Sequence, residues 1–282
     1  MIGGTGRIGQ PVVRALVNAG HQVRVLTRDP ARARALFPEN VEWCAGDLRQ
    51  PESIAAAMKD QTAVYINLPE TTDPNAAFVA EKHGVENILR AVPRDALILK
   101  LSEIDAAETP HFHDLTFKFH AEEQIRASGN PYLIFRPTWF MESIPLVLLM
   151  KQQIMVVGKQ PSPLYWIAAR DFASQVVTAL AKRKTIQNRT LNVQGAEAIT
   201  FTEAARRYAS VIGGGVRVTH LPLWVLRLSG LFSPAQKSAY ELMAHYDRRR
   251  ETFISTDTWS LLGKPTTTIE QFAAEWSKSS VA

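Results

Sequence analysis

The feature that most constrains the fold is the glycine-rich run at the start of the chain, MIGGTGRIGQPVV. Gly3, Gly6 and Gly9 have the spacing G-x-x-G-x-x-G, which suits a tight turn whose backbone amides approach a phosphate. A helical pattern follows over 10–18, with its apolar residues on one face and Gly20 as a stop signal. Free amides at the start of such a helix favour an anion. The run therefore predicts a turn that binds the diphosphate of a dinucleotide.

A turn of this kind normally follows a buried β-strand, but only Met1 and Ile2 stand before it in this sequence. A central strand of two residues would leave the sheet under-filled and the turn poorly anchored. We therefore expect the native protein to begin several residues earlier, with an apolar run that an upstream reading frame would encode. If no such run exists, we expect a stunted first strand and correspondingly weak cofactor binding.

Strand and helix patterns alternate through the first half of the chain. Alternating or wholly apolar runs predict strands at 21–27, 41–45, 62–67, 96–101 and 132–135. Apolar residues at helical spacing predict helices at 10–18, 30–36, 51–58, 75–91 and 117–128. Strands and helices in this order form βαβ units with right-handed crossovers, so we predict an α/β fold with a doubly wound parallel sheet.

After about residue 145 the alternation becomes less regular. Helical patterns at 172–181, 201–211, 223–231, 234–245 and within 259–276 are mixed with short strand patterns at 190–193 and 216–219. We predict a dinucleotide-binding domain over 1–145 and a smaller α+β lobe over 146–282 that binds a substrate or a partner. Because no linker or low-complexity segment separates the two, the boundary between them is soft.

The composition is that of a globular protein with a full core: 282 residues, 46% hydrophobic and 21% charged. The net charge of +5 comes from scattered basic residues, and no basic patch interleaved with aromatic residues indicates direct binding of nucleic acid. The single cysteine, Cys44, excludes an intramolecular disulfide and suits a reducing compartment. With no signal segment and no apolar stretch long enough for a bilayer, we expect a cytoplasmic protein of undetermined oligomeric state.

The end of the second predicted strand bears on the choice of cofactor. Enzymes that use NAD place Asp or Glu there to bind the ribose 2′-hydroxyl, whereas this chain has Thr27-Arg28-Asp29-Pro30. The Arg28 guanidinium suits a bidentate contact with a 2′-phosphate, and Arg7 in the glycine turn offers a second cation. We therefore predict NADP(H) in preference to NAD(H). The alternative is that Arg28 lies in solvent at the end of the strand.

A series of short motifs continues from the glycine turn almost to the C-terminus. They are GGTGRIG, TRDP, Gly46-Asp47-Leu48, Asn67-Leu68-Pro69, Lys118-x-x-x-Glu122, Arg136-Pro137-Thr138-Trp139-Phe140-Met141-Glu142 and Leu262-Gly263-Lys264-Pro265. Their order resembles the NmrA-like group of atypical short-chain dehydrogenases/reductases. The resemblance implies an NAD(P)-binding Rossmann fold. The cofactor contacts that we predict are Gly3, Thr5, Gly6, Arg7, Ile8, Gly9 and Arg28, with Asp47 and Leu48 beside the adenine, Leu68 and Pro69 along the ribose, and Lys118 and Pro137.

Short-chain dehydrogenases usually combine a serine with Tyr-x-x-x-Lys, in which the lysine lowers the tyrosine pKa so that the phenol donates a proton. In this sequence Ser102 falls where the serine is expected, and Lys118 matches the lysine. Four residues before the lysine stands Asp114, so the usual proton donor is missing. His113 and Tyr165 are alternative proton sources, Tyr165 is also a candidate substrate contact, and Lys118 is expected to hold the nicotinamide ribose or carboxamide.

The missing tyrosine leaves two functional hypotheses open. The first is an oxidoreductase in which NADPH reduces a small acceptor such as a quinone, which needs little proton help. The second is a non-catalytic sensor of the NADP(H) redox state that regulates a protein partner. Both occur in the family that the sequence resembles.

The remaining candidate residues carry weaker signals. Trp139 and Phe140 follow the strand predicted at 132–135, where ligands bind in open α/β sheets, so they contact either substrate or core. His111 and His113, with His120 nearby, lack a companion carboxylate at a fixed spacing, so we predict no metal site.

Overall fold

The computed structural model describes residues 1–37 and 40–281. The strands are β1 (Val23–Thr27), β2 (Val41–Ala45), β3 (Ala63–Ile66), β4 (Leu97–Leu101), β5 (Tyr132–Pro137), β6 (Leu149–Met150), β7 (Gln153–Val157), β8 (Leu164–Tyr165), β9 (Arg189–Val193), β10 (Ala198–Ile199) and β11 (Arg217–Leu221). The helices are α1 (Gly9–Asn18), α2 (Pro30–Arg34), α3 (Pro51–Met58), α4 (Val85–Ala91), α5 (His113–Ala127), α6 (Ala169–Ala181), α7 (Arg183–Ile186), α8 (Phe201–Ile212), α9 (Leu223–Ser229), α10 (Pro234–Arg248), α11 (Thr256–Leu262) and α12 (Ile269–Val281). Two π-helical turns lie at Ala80–Gly84 and Ile144–Leu148.

The central sheet is parallel throughout and has the order β2-β1-Ile2-β3-β4-β5-β9. Ile2 bridges Leu26 of β1 and Ile66 of β3, so the two residues before the glycine turn join the halves of the sheet. Backbone hydrogen bonds secure both sides: Leu26 donates to Met1, and Ile2 donates to Tyr65. The strand order reverses at Ile2, and such a reversal opens a crevice at the carboxyl ends of the strands.

Helices cover both faces of the sheet, as a doubly wound fold requires. Val25, Tyr65 and Leu99 point to the face covered by α1 and α6, while Ile66 and Ile98 point to the face covered by α3, α4 and α5. The alternation follows from the two-residue period of a strand. Burial of each such side chain contributes about 1.5–3 kcal/mol, which fixes the register of the sheet. The predicted α/β class with a doubly wound parallel sheet is confirmed.

The second half of the chain builds a smaller lobe and also returns to the central sheet. In the lobe, β11, β7 and β6 form one sheet, β8 and β10 form another, and α8 packs against α12. Its core contains Trp139, Trp166 and Phe201, whose rings make edge-to-face or tilted contacts. However, β9 extends the central sheet and α6 packs on α1. The division at residue 145 therefore stays a prediction.

Two predicted helices differ from the structure at their starts. The helix predicted over 75–91 is replaced by a turn at 73–76, an extended residue at Val79, the π-helical turn and α4. The cause of the turn is Asp73, whose carboxylate accepts a hydrogen bond from the Asn75 amide. Conversely, α5 begins at His113, four residues before the predicted start at Phe117. The earlier start places Asp114 and Lys118 one helical turn apart on the same face.

The strands β6 and β7 lie in a region where the sequence predicted no regular structure. Across the described ranges, 1–37 and 40–281, no helix is both long enough and apolar enough to cross a membrane.

Candidate functional site

A cleft of about 1080 Å³ opens at the carboxyl ends of β1, β2 and β3, beside the point where the strand order reverses. Its lining residues all lie between Ile2 and Ala80 in the sequence. They include most of the predicted cofactor contacts: Gly3, Thr5, Gly6, Arg7, Ile8, Arg28, Asp47, Leu48, Leu68 and Pro69. Three predicted contacts, Gly9, Lys118 and Pro137, do not line it. Gly9 is buried under the turn, and Pro137 is the buried last residue of β5.

The glycine turn is too compact for side chains at two of its positions. Gly3 has a φ of +72°, and a Cβ on it would lie 1.8 Å from the Asn67 carbonyl oxygen. A Cβ on Gly9, the first residue of α1, would lie 2.0 Å from the Gly3 carbonyl oxygen. The turn is closed by a hydrogen bond of 3.1 Å from the Gly6 amide to the Gly3 carbonyl. This packing brings bare backbone and the start of α1 to the wall of the cleft, which suits a diphosphate.

Four arginines line the end of the cleft that adjoins β1 and β2: Arg7, Arg28, Arg32 and Arg49. Two carboxylates also line this end of the cleft: Asp29 caps α2 by accepting a hydrogen bond from the Arg32 amide, and Asp47 lies 3.6 Å from Arg49. The sequence did not lead us to predict a role for Arg32. Its position, four residues after Arg28 and within the helix predicted over 30–36, was a usable signal. A cationic cleft end of this kind fits the phosphates of a dinucleotide that carries a 2′-phosphate.

Arg49 and Phe78 form a stacked pair in the wall of the cleft, with the guanidinium carbon 4.8 Å from the ring centroid. The Arg49 amide donates to the Asp47 carboxylate at 2.9 Å, which holds the predicted adenine-side segment in a turn. No role in the cleft was predicted for Phe78, because a phenylalanine within the helix predicted over 75–91 would have been assigned to helix packing. The pair offers a flat surface of the type that binds a base.

Lys118 lies behind the cleft in a buried network of charges. Its Nζ is 3.1 Å from Glu81 Oε1 and 3.5 Å from Asp114 Oδ2. Lys100, from the middle of β4, reaches the same Glu81 oxygen at 2.9 Å and also donates to the Leu101 carbonyl. All four side chains are buried, and their formal charges cancel.

The charges in this network shift the pKa values of Glu81 and Lys118. Burial by itself raises the pKa of Glu81, but Lys100 and Lys118 outweigh burial and hold that pKa below the usual value. Burial lowers the pKa of Lys118, but the charges of Asp114 and Glu81 outweigh it and raise that pKa well above the usual value. Lys118 is therefore a fixed cation at neutral pH.

Ser102 faces away from the cleft. Its hydroxyl donates to Glu122 Oε1 at 2.5 Å, and Glu122 also accepts two hydrogen bonds from Arg136 and one from Arg126. Glu122 is fully buried, so these donors replace the water that it loses. Glu122 and Arg136 both belong to motifs identified in the sequence, and in the structure they bind each other in this cluster.

The predicted proton sources and substrate contacts are dispersed. Both ring nitrogens of His113 are engaged, Nδ1 with Glu241 and Nε2 with the Thr71 carbonyl, each at 2.5 Å. Tyr165 packs on Phe253, and Trp139 lies in the aromatic core of the smaller lobe. Phe140 packs on Phe172 of α6. None of these side chains lines the cleft, and their proposed roles stay predictions.

A carboxyl group that sequence reasoning missed lies at the other end of the cleft. Glu70 follows Asn67-Leu68-Pro69 and lines the cleft, and its Oε1 accepts a hydrogen bond of 2.7 Å from Ser238 of α10. Glu70 is exposed toward the open cleft, but the protein that flanks it partly desolvates the carboxyl and raises its pKa, while the Ser238 hydrogen bond opposes the rise. Its position directly after the Asn67-Leu68-Pro69 motif was the available signal.

A second carboxyl with a raised pKa lies deeper, at the end of β4. Burial raises the pKa of Glu103 to about 8, and Tyr246 of α10 donates to its Oε1 at 3.0 Å. Neither residue lines the cleft. In the ranges that the structure describes, no three His, Cys, Asp or Glu side chains group as ligands for a metal ion.

The chain matches the NmrA-like family over residues 1–252. The NAD(P)H azoreductase of Xenophilus azovorans is 30% identical over 233 residues, which cover 79% of this chain and 77% of that protein. The photosystem II assembly factor Ycf39 of Synechocystis sp. is 25% identical over 240 residues, which cover 83% of this chain and 73% of that protein.

A solved structure has the same fold over nearly the whole chain. The triphenylmethane reductase of Citrobacter sp., in complex with NADP(H), has a TM-score of 0.72 at 19% identity and covers 98% of both chains. At this identity the likeness establishes the shared fold alone. The sequence match is what identifies the family, and it extends over both halves of the chain. The chain belongs to the NmrA-like family, as its motifs predicted.

Proposed function

We propose that this chain is an NADPH-dependent reductase of small unsaturated acceptors, such as azo compounds and quinones. The observation that carries the proposal is a single cleft with a glycine turn at its centre and a cationic end that suits a 2′-phosphate. The relative from Xenophilus azovorans, an NAD(P)H azoreductase, supports the same reaction type. The triphenylmethane reductase, solved with NADP(H), supports the same cofactor.

Residues along the cleft have different roles in the proposed reaction. The backbone of the glycine turn receives the diphosphate, and Arg28 and Arg32 hold the 2′-phosphate. When bound, the reduced nicotinamide supplies a hydride. Lys118, kept protonated by Asp114 and Glu81, supplies a fixed positive charge behind the nicotinamide end. Such a charge stabilises negative charge that develops on an acceptor.

The reaction is tested by mixing the purified chain with NADPH and a panel of azo dyes and quinones. We expect the absorbance of the reduced nicotinamide to fall, with the fall dependent on both chain and acceptor. Binding of NADPH is measured in parallel by the change in its fluorescence. Tight binding without oxidation by any acceptor would rule out the reductase.

The role of Arg28 is tested by Arg28→Glu. We expect the affinity for NADPH to fall about 100-fold, because a carboxylate repels the 2′-phosphate and one charged hydrogen-bonding partner is lost. The affinity for NADH should change less than threefold, because NADH has no phosphate at that position. Dissociation constants for both nucleotides, measured by fluorescence, check the difference. Equal losses for the two nucleotides would contradict the assignment.

A second candidate function is that of a sensor, in which the bound cofactor alters contacts with a protein partner. One observation favours it: Trp224, Leu228, Leu231 and Phe232, on α9 and the following turn, are 62%, 52%, 74% and 89% exposed. Several large apolar side chains exposed within nine residues of the chain are typical of interaction sites. NADPH binding that is tight but unproductive with every acceptor is the result that would favour this candidate.

A further inference from the structure

The proposed reductase lacks the tyrosine that usually donates a proton, and the structure narrows the choice of substitutes. Lys118 is held as a fixed cation, and the Ser102 hydroxyl donates to Glu122. Both His113 nitrogens are occupied. Tyr246 and Glu103 bind each other away from the cleft. These groups are therefore not available as proton donors to a molecule in the cleft.

The nicotinamide half of the cleft can be identified from the strand order. A dinucleotide lies across the point where the order reverses, with the 2′-phosphate end beside β1 and β2, where the arginines are. The other half of the cleft is lined by the segment after β3, from Asn67 to Asp73. Two carboxyl groups lie on this segment. Both line the cleft, but Asp73 binds the Asn75 amide of its own turn, whereas Glu70 is fixed by Ser238 of the distant helix α10.

We propose that the Glu70 carboxyl donates the proton that an acceptor takes up together with the hydride. This inference rests on the proposed reductase function. Ser238, which is itself fully buried, fixes Glu70 through Oε1. Within the described ranges, Oε2 of Glu70 makes no hydrogen bond to protein and is the atom that would carry the proton.

The segment that carries Glu70 is held from two directions. Asp114 of α5 accepts a hydrogen bond of 2.7 Å from the Thr71 amide, and His113 binds the Thr71 carbonyl. From α10, Ser238 binds Glu70 itself, and Glu241 binds His113. A proton donor must be held within hydrogen-bonding reach of its acceptor, and these contacts provide that precision.

The same neighbours govern the protonation of Glu70. Burial raises its pKa and Asp114 adds to the rise, while the Ser238 hydrogen bond and the charges of Lys118 and His113 oppose it. The net pKa is above the usual value for a glutamate. Glu70 therefore keeps its proton to higher pH than a free glutamate does, which favours its use as an acid.

The chemistry balances with one proton for each hydride. An azo group, N=N, takes a hydride on one nitrogen and the Glu70 proton on the other, which gives N–H on both. The electron pair of the O–H bond stays on Glu70, and the carboxylate regains a proton from water in the open cleft. A cationic triphenylmethane dye differs, because hydride on its central carbon gives a neutral product with no proton needed. The two dyes therefore separate proton transfer from hydride transfer.

The test compares Glu70→Gln with the unaltered chain on both dyes. The amide oxygen can still accept from Ser238, but the side chain has no acidic proton. We expect kcat for an azo dye to fall about 100-fold, the lower range for loss of a general acid. We expect kcat for a cationic triphenylmethane dye and the affinity for NADPH to change less than threefold. Glu108→Gln, which alters an exposed carboxyl outside the cleft, is the control and should leave all three values unchanged.

Two further readouts distinguish proton donation from a structural role. Azo reduction by the unaltered chain should decline as pH rises through the raised pKa of Glu70, and Glu70→Gln should lack this decline. Ser238→Ala removes a hydrogen bond that lowers the pKa, so it should move the decline to higher pH. In the chain without cofactor, carbon-13 NMR should show, besides Glu103 and Glu142, a carboxyl that titrates above the usual glutamate range and is absent from Glu70→Gln.

The possible failures are separable. If Glu70→Gln reduces the azo dye as fast as the unaltered chain, water suffices and the inference is overturned. If it loses both dyes equally, Glu70 serves binding or positioning, and the inference is again overturned while the reductase stands. If the unaltered chain reduces neither dye nor any quinone, the proposed function fails and the role of Glu70 fails with it.

Discussion

Gly9→Ala is expected to abolish tight binding of NADPH, with a loss of at least about 100-fold in affinity, equivalent to nearly 3 kcal/mol. A Cβ at this position would lie 2.0 Å from the Gly3 carbonyl oxygen and 2.9 Å from Gly4 Cα. Both contacts are with backbone, so the turn itself has to move, and the amides that receive the diphosphate move with it. The free energy of unfolding should also fall by about 2–3 kcal/mol, as for other overpacked sites.

The measurements are NADPH fluorescence titration and unfolding in urea. The control is Gly129→Ala: unlike Gly9, Gly129 has a positive φ, +81°, but a Cβ there would meet nothing within 4 Å. It should cost about 1 kcal/mol through backbone strain alone and leave NADPH affinity unchanged. If Gly9→Ala binds NADPH as tightly as the unaltered chain does, the turn does not hold the diphosphate.

Glu81→Gln is expected to have the largest effect on stability among single changes in the charged network. Glu81 Oε1 is the shared partner of Lys100 and Lys118, and all three side chains are buried. Removal of one charge from a buried pair costs about 3–5 kcal/mol, because the remaining charge is left uncompensated in a medium of low polarity. Here Lys100 loses this carboxylate while Lys118 keeps Asp114, so we expect a loss within that range that arises mainly from Lys100.

The effect should depend on pH in a defined direction. The pKa of Glu81 is lower in the folded chain than in the unfolded chain, despite burial, because Lys100 and Lys118 hold it down. Its contribution is therefore complete above the ordinary glutamate pKa and is lost as pH falls toward the folded pKa. Urea unfolding over this acidic range should show a steeper loss of stability in the unaltered chain than in Glu81→Gln.

Two comparisons make the prediction specific. Glu86→Gln alters an exposed carboxylate that lies 4.0 Å from Arg90, and it should cost less than about 0.5 kcal/mol. Lys100→Met combined with Glu81→Gln should recover part of the lost stability, because it removes one of the uncompensated charges. Equal stability of Glu81→Gln and the unaltered chain would show that the network contributes nothing.

Most of the sheet could be predicted because its strands are buried on both faces. Runs such as TAVYIN and ALILKL are apolar almost throughout, and few structures other than a covered parallel strand accommodate them. The cleft could be predicted because the glycine turn and Arg28 are local signals. Ile2 was harder: two residues were expected to anchor the turn poorly, yet their backbone bonds join both halves of the sheet.

The acceptor side of the site could not be predicted, because it depends on contacts between distant parts of the chain. Ser238 and Glu70 are 168 residues apart, and no local pattern shows that they meet. Ser102 was assigned by position alone, and its side-chain direction was decided by Glu122 on a different element. Lys100 was a missed signal, since a lysine within an otherwise apolar strand needs a buried partner.

The cleft wall has a consequence for how such a protein can diversify. Every described residue that lines it comes from a stretch between Ile2 and Ala80, while Glu70 is fixed by α5 and α10. Under the proposed function, changes in these later helices would reposition Glu70 without replacing any residue of the cleft wall. The residues that form the wall and the residues that orient its acceptor end are therefore encoded in separate parts of the gene.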